Sequence, residues 1–181
     1  DRSLGSSSVL LLALDTSTPA VTVALHDGSS VLAESTRVDA MRHGELLAPA
    51  IVEVLTAAGA DRRDLTDIVV GVGPGPFTGL RVGLVTARTL GAVLDVPVLG
   101  VCSLDITAYA VRRSSPGIGR FLVASDARRK EIYWAAYEAG RRTDGPHVSR
   151  PADAASDLPV AGQGPWLYPE AFPNAVGPTL P

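Results

Sequence analysis

VLLLALDTSTPAVTVALHDGSSVLAES, residues Val9–Ser35, decides the fold class. Val9–Leu14 is a short apolar run that ends in Asp15, the pattern of a buried strand. Thr16-Ser-Thr-Pro19 is a turn cluster. Val21–Leu25 alternates with a period near two, His26-Asp-Gly-Ser29 is a hairpin signal, and Ser30–Ser35 supplies a third strand. The chain therefore opens as an antiparallel meander. Helical spacing follows from His43 to Gly59, where Leu47, Ile51, Val54, Leu55 and Ala58 share a face that Leu46, Ala50 and Ala57 widen. Pro49 predicts that this helix starts late or kinks.

Further along, Ile68–Val72 and Val98–Val101 read as strands around a second helix from Thr78, its expected N-cap, to Leu94. Leu104–Arg112 is a short helix. Arg120–Ser125 and Glu131–Tyr137 are strands about a charged turn. From Gly140 onward the chain is rich in Pro, Gly and Asp, and only Leu158–Ala161 reads as a strand. The order β-β-β-α-β-α-β, followed by a second mixed segment, predicts an α/β fold with a mixed sheet and a lobe boundary near Val101–Asp105.

At 181 residues the chain holds one domain or two small lobes, and 46% hydrophobic residues exclude a disordered chain. A net charge of −3 and 5% aromatics argue against an unaided nucleic-acid binder with a broad basic face. The only lysine, Lys130, stands outside any P-loop spacing. Cys102 is the single cysteine, which suits a reducing compartment, and it reads as a small buried side chain. His26, His43 and His147 lack metal-site spacing. Val9–Leu14 falls far short of the roughly 18 apolar residues of a membrane span. Residues 1–8, polar and Ser-rich, read as an expression remnant.

Four places could carry chemistry. Asp15, at a strand end beside Thr16, Ser17 and Thr18, could hold a hydrated cation against a phosphate, or could simply cap its own turn. The Gly73-Pro-Gly-Pro-Phe-Thr-Gly79 loop could cradle an anion at a helix start, but two prolines remove two donors, and a stiff strand-to-helix turn is the plainer reading. Gly79, Gly83, Ala87 and Gly91 recur every four residues as a small-residue ridge. Glycine inside a helix costs about 0.5–1 kcal/mol relative to Ala, so some element should approach closely: the first helix, or a helix of another chain. The turn Asp126-Ala-Arg-Arg-Lys-Glu131 is either a solvated hairpin or an anion or partner contact through Arg128 and Arg129. His43 has Leu47 at i+4 and so reads as a helix-start or surface residue rather than a ligand.

Taken in order, Leu12-Ala-Leu-Asp15-Thr-Ser-Thr18, His43-x-x-x-Leu47-x-Pro49, Gly71-Val-Gly-Pro-Gly-Pro-Phe-Thr-Gly-Leu-Arg81, Gly100-Val-Cys-Ser-Leu104 and Asp126-Ala-Arg-Arg-Lys-Glu-Ile-Tyr-Trp134 resemble one family. It is the bacterial TsaB (YeaZ-like, glycoprotease-like) family of tRNA threonylcarbamoyladenosine biosynthesis proteins. The resemblance implies an α/β, actin-like ATPase and ribonuclease-H-like (ASKHA) fold of two related lobes with mixed sheets, the second reduced. It assigns 9–101 to the first lobe with its partner-binding helices. It assigns 102–181 to the second, without the family's C-terminal segment.

The resemblance also implies a cytoplasmic, non-catalytic scaffold that binds and activates TsaD, the paralogue that transfers the threonylcarbamoyl group. TsaE would join as a third subunit, a homodimer is a further form, and tRNA would be met only through the complex, with no membrane involved. No cofactor is expected in this subunit; ATP and a metal ion belong to the partners. Asp15, Thr16 and Ser17 would be a relic of a phosphate loop. The partner interface would comprise His43, Leu46, Leu47, Ile51, Leu55, Gly79, Gly83, Ala87 and Gly91. The alternative is a nucleotide-binding ATPase or kinase-like enzyme of the same fold. No nucleophile–base pair or metal triad favours a peptidase.

Overall fold

The computed structural model describes residues 9–180; the expected expression remnant, 1–8, lies outside the described residues. Strands β1 (Leu11–Asp15), β2 (Ala20–His26) and β3 (Val31–Val38) form the expected meander. Helix α1 (His43–Ala57) leads to β4 (Asp67–Gly71), parallel to β1, and helix α2 (Phe77–Leu94) leads to β5 (Val98–Val101), parallel to β4. The first sheet thus has the order β3-β2-β1-β4-β5. Both helices lie on it, α1 over β2 and β3, α2 over β1, β4 and β5.

After α3 (Ser103–Ser114) the pattern repeats. Strands β6 (Phe121–Arg128), β7 (Glu131–Glu138) and β8 (Arg141–Ser149) form a second antiparallel meander, and β9 (Val160–Ala161) returns parallel to β6. The order β8-β7-β6-β9 is that of the first four strands of the first sheet. Where the first repeat carries α1, the second has only a 3-10 turn, Pro151–Ala154. Where the first carries α2, the second has the single turn α4 (Gly164–Leu167).

Three expectations are corrected. Pro49 neither delays nor splits α1: it stands inside one continuous helix on the exposed side, where the carbonyl it leaves without a donor meets water. Helix α2 starts at Phe77 after Pro76, with no side-chain cap, so Thr78 lies inside it. The first helical bond runs from the Leu80 N–H to the Pro76 carbonyl. Strand β8 escaped the sequence reading because Arg141–Ser149 is polar and contains Gly145 and Pro146. It is an exposed, irregular edge strand, the one place in a sheet where proline and unalternating charge are tolerated.

The first core joins Leu47, Ala50, Ile51, Val54 and Leu55 of α1 to Leu12, Val21, Val23, Ile68 and Val70 of the sheet. The second sheet is packed on one side by Leu104, Ala108 and Val111 of α3, with Phe121 and Tyr137 stacked at 5.4 Å. The Tyr137 hydroxyl donates to Asp105 Oδ1 at 2.7 Å. Burial first, then that bond, holds the phenol well above its ordinary pKa and so protonated.

The two faces of α1 should therefore differ sharply on mutation. Leu47→Ala should cost about 2–5 kcal/mol in urea unfolding, whereas Val52→Ala, on the exposed face, should stay within about 0.5 kcal/mol. Equal effects would overturn the packing described.

Candidate functional site

The turn after β1 is held from three sides. Asp15 Oδ1 accepts the Ser17 N–H and the Ser17 hydroxyl, both at 2.6 Å, and Oδ2 accepts the Ser103 hydroxyl at 2.6 Å. Ser103 in turn accepts the Gly73 N–H at 3.2 Å and gives its own N–H to the Gly73 carbonyl at 2.9 Å. Asp15 is 5% exposed. Both readings of Asp15 had a carboxylate at this strand end, and the structure shows it capping its own turn and accepting the hydroxyl of Ser103, the first residue of α3. A cation taken up here would have to displace those donors. Gly71 and Gly75 make the crowding possible: a Cβ on Gly71 would overlap the Asp15 carboxylate, and one on Gly75 would overlap the Ser17 backbone.

Thr16 ties the same turn to α2. Its hydroxyl donates to the Gly79 carbonyl at 2.9 Å and accepts the Gly83 N–H at 3.0 Å, inserting between successive turns of the helix. The small-residue ridge now has its reason. A Cβ at Gly83 would lie 2.6 Å from Thr16 Oγ1, and one at Gly79 would lie 3.0 Å from the Thr16 carbonyl and 3.3 Å from the His43 ring. One at Gly91 would overlap the Val98 side chain. The close neighbour is mainly the β1–β2 turn and β5, with His43 of α1 at one position. His43 itself is buried; its Nε2–H donates to the Thr18 carbonyl at 2.7 Å, so it is not a surface residue.

These placements set most of the residues expected at the partner surface inside the first lobe. Leu47, Ile51 and Leu55, with Ala87, are part of the first core, His43, Gly79, Gly83 and Gly91 are buried, and Leu46 is half-buried against that core. Their contacts are made within the chain, so a charged replacement at Leu47 or Gly83 breaks the lobe before any complex. The ridge occupies one stripe of α2, and the opposite stripe is bare. Phe77 is 71% exposed, Val85 58% and Val93 75%, with Arg81 over the Phe77 ring at 5.0 Å. Val52 of α1 is also exposed. With 18 residues of this composition, α2 is long and apolar enough to cross a membrane, yet its ridge packs on the sheet. Sequence reasoning missed this outer stripe because the glycine ridge drew attention to the inner one. It also missed Ser103, although Gly100-Val-Cys-Ser-Leu104 was among the resembling motifs.

Arg128 reaches the same neighbourhood from the second lobe. It lines a cleft of about 120 Å³ with Thr16, Thr18, His43 and the start of α2, and its guanidinium lies 3.4 Å from Asp126. Among the described residues no group of three His, Cys, Asp or Glu side chains is gathered as a metal site. A cavity of about 720 Å³ lies in the second lobe, beside the β6–β7 turn that follows Arg128.

Two repeats of one strand order, joined where α3 bonds the first strand's Asp15, define an α/β protein of the actin-like, ribonuclease-H-like class. Comparison with known proteins narrows this. Residues 31–165 match the family described as TsaD, tRNA N6-adenosine threonylcarbamoyltransferase. An uncharacterized protein of Mycobacterium tuberculosis is 47% identical over 157 residues, 84% of this chain and 71% of that protein. The tRNA threonylcarbamoyladenosine biosynthesis protein TsaB of Escherichia coli is 36% identical over 128 residues, 71% of this chain and 54% of that protein. The solved structure of YeaZ from Pseudomonas aeruginosa superposes with a TM-score of 0.81 at 35% identity, covering 95% of this chain and 85% of that one. The chain belongs to the TsaB (YeaZ) family, within the wider TsaD group. The matched part spans about half the length of the Escherichia coli TsaB.

The Thr16 contact yields a clear expectation. Gly83→Ala raises intrinsic helix propensity by up to about 1 kcal/mol, yet it should destabilise the protein by about 1–3 kcal/mol because the new methyl displaces Thr16. A melting temperature equal to or above that of the wild type would contradict the close approach.

Proposed function

We propose that this chain is a docking subunit of the tRNA threonylcarbamoyladenosine machinery, one that binds TsaD and supports its activity without carrying out the transfer itself. Its membership in the TsaB family supports a role in making this modification. The observation that carries the docking reading is the bare outer stripe of α2. Phe77, Val85 and Val93 stand exposed on a helix whose other stripe is locked to the sheet by Thr16. Exposed apolar surface on a rigid helix favours burial against another helix-bearing partner. TsaD, the protein that names the wider group this chain matches, is the occupant proposed. The chemistry of the Asp15 turn agrees with a subunit that positions rather than catalyses, since its carboxylate and hydroxyls are bonded to one another and to α2 and α3.

The test is light scattering on a size-exclusion column, with the chain alone and mixed with TsaD of the same organism. A one-to-one complex is expected. Val85→Glu should weaken it by about 10-fold or more while leaving the melting temperature unchanged, since a buried interface charge without a partner costs at least 1.4 kcal/mol. A complex that survives Val85→Glu and Phe77→Asp alike would overturn the docking face. A stable homodimer that excludes TsaD would assign the face to a second copy instead.

A further inference from the structure

The turn between β6 and β7 holds a feature that docking through α2 leaves unused. Arg128 pairs with Glu131, so Arg129 and Lys130 are the two central residues of a two-residue hairpin turn. Both have positive φ, 53° and 65°, and Arg128 before them has 65°. Turns of this kind favour Asn-Gly, because glycine lacks a Cβ and the short polar Asn side chain tolerates the left-handed region, whereas long side chains rarely adopt it. Here the strained positions are filled by two long cations. Strain of this kind persists where something else requires the residue.

Both cations line a cavity of about 720 Å³, a size in the range of small-molecule sites. Arg150 reaches it from the start of the Pro151–Ala154 turn, Tyr168 from the end of α4, and alanines and Pro151 line it further. Glu131 and Glu170 also line it. Among the described residues, none of these five charged side chains is engaged in an ion pair. The opposite charges around the cavity are thus left open rather than spent on one another.

We propose that this cavity binds a phosphorylated nucleotide unit, either free or as part of an RNA strand. Arg129, Lys130 and Arg150 would take the phosphate, Tyr168 and the alanines the flat base, and the two carboxylates would accept hydrogen bonds from amino or hydroxyl groups of base and ribose. A bare phosphate leaves most of the volume empty, and an acidic peptide has no use for the two carboxylates. The net charge of −3 does not oppose this, because three of the chain's cations meet at this one cavity. The inference stands on the cavity alone and does not need the docking reading.

The experiment measures binding of a labelled tRNA transcript at low salt and, separately, of AMP, to the 181-residue chain. The double change Arg129→Asn with Lys130→Gly supplies the residues the turn favours. It should raise the melting temperature while weakening binding by about tenfold or more, with Arg150→Glu weakening it similarly. Replacing Arg62 and Arg63 by Gln removes the same charge from the other lobe and should leave binding within about 2-fold. Loss of the tRNA signal alone assigns the site to an RNA strand, and loss of both signals to the nucleotide unit itself. Absence of binding to either probe, binding indifferent to the cavity variants, or an equal loss in the control would each overturn the proposal. A chain that binds tRNA here yet fails to dock TsaD overturns only the docking reading.

Discussion

One side chain organises the first lobe. The Thr16 hydroxyl bonds a carbonyl of α2 at Gly79 and an amide at Gly83, and that is possible only because the helix presents no Cβ at either position. A hydroxyl inserted between successive helical turns fixes both the rotation and the axial position of α2 over β1. Once that is set, Gly91 must face Val98, Ala87 must enter the core, and the apolar residues that remain, Phe77, Val85 and Val93, must face outward. The surface offered to a partner is thus the geometric complement of an internal contact.

The same turn connects the lobes. Asp15 gathers Ser17 from its own turn and Ser103 from α3, and Ser103 is bonded in both directions to Gly73. In a fold class built from two repeats, a carboxylate at this strand end stands where it can face the space between lobes. Here its acceptors are taken by donors of the chain itself. A group that stabilises the junction of β1, the glycine–proline loop and α3 serves rigidity, and rigidity is what a helix face needs if another protein is to read it without an ordering cost.

Much of this was legible in the sequence. The meander, the two long helices and the strands of the first lobe follow from period and turn chemistry, because β1, β2, β4, α1 and α2 each keep a buried face. The ridge Gly79-Gly83-Ala87-Gly91 announced a close approach. Its partner was not legible, because Thr16 lies 63 residues from Gly79 and only the sheet brings them together. The buried positions of α1 were read correctly as one apolar face, and within the chain it is the first sheet that covers them. Hydrophobic spacing shows that a face is covered, not by what. Strand β8 was illegible since an edge strand with Gly145 and Pro146 keeps no alternation. The cavity beside Arg129 escaped because its walls come from three separate segments, of which only the charged turn stood out.

The central claim is that the outer stripe of α2, freed by the Thr16 contact, is the surface that meets TsaD. Hydrogen–deuterium exchange of the chain with and without TsaD tests it most directly, peptide by peptide. The account predicts added protection confined to peptides from 77–94 and the exposed half of α1, with those of β7 and β8 unchanged. Protection centred on the second lobe, with 77–94 unaffected, would contradict it.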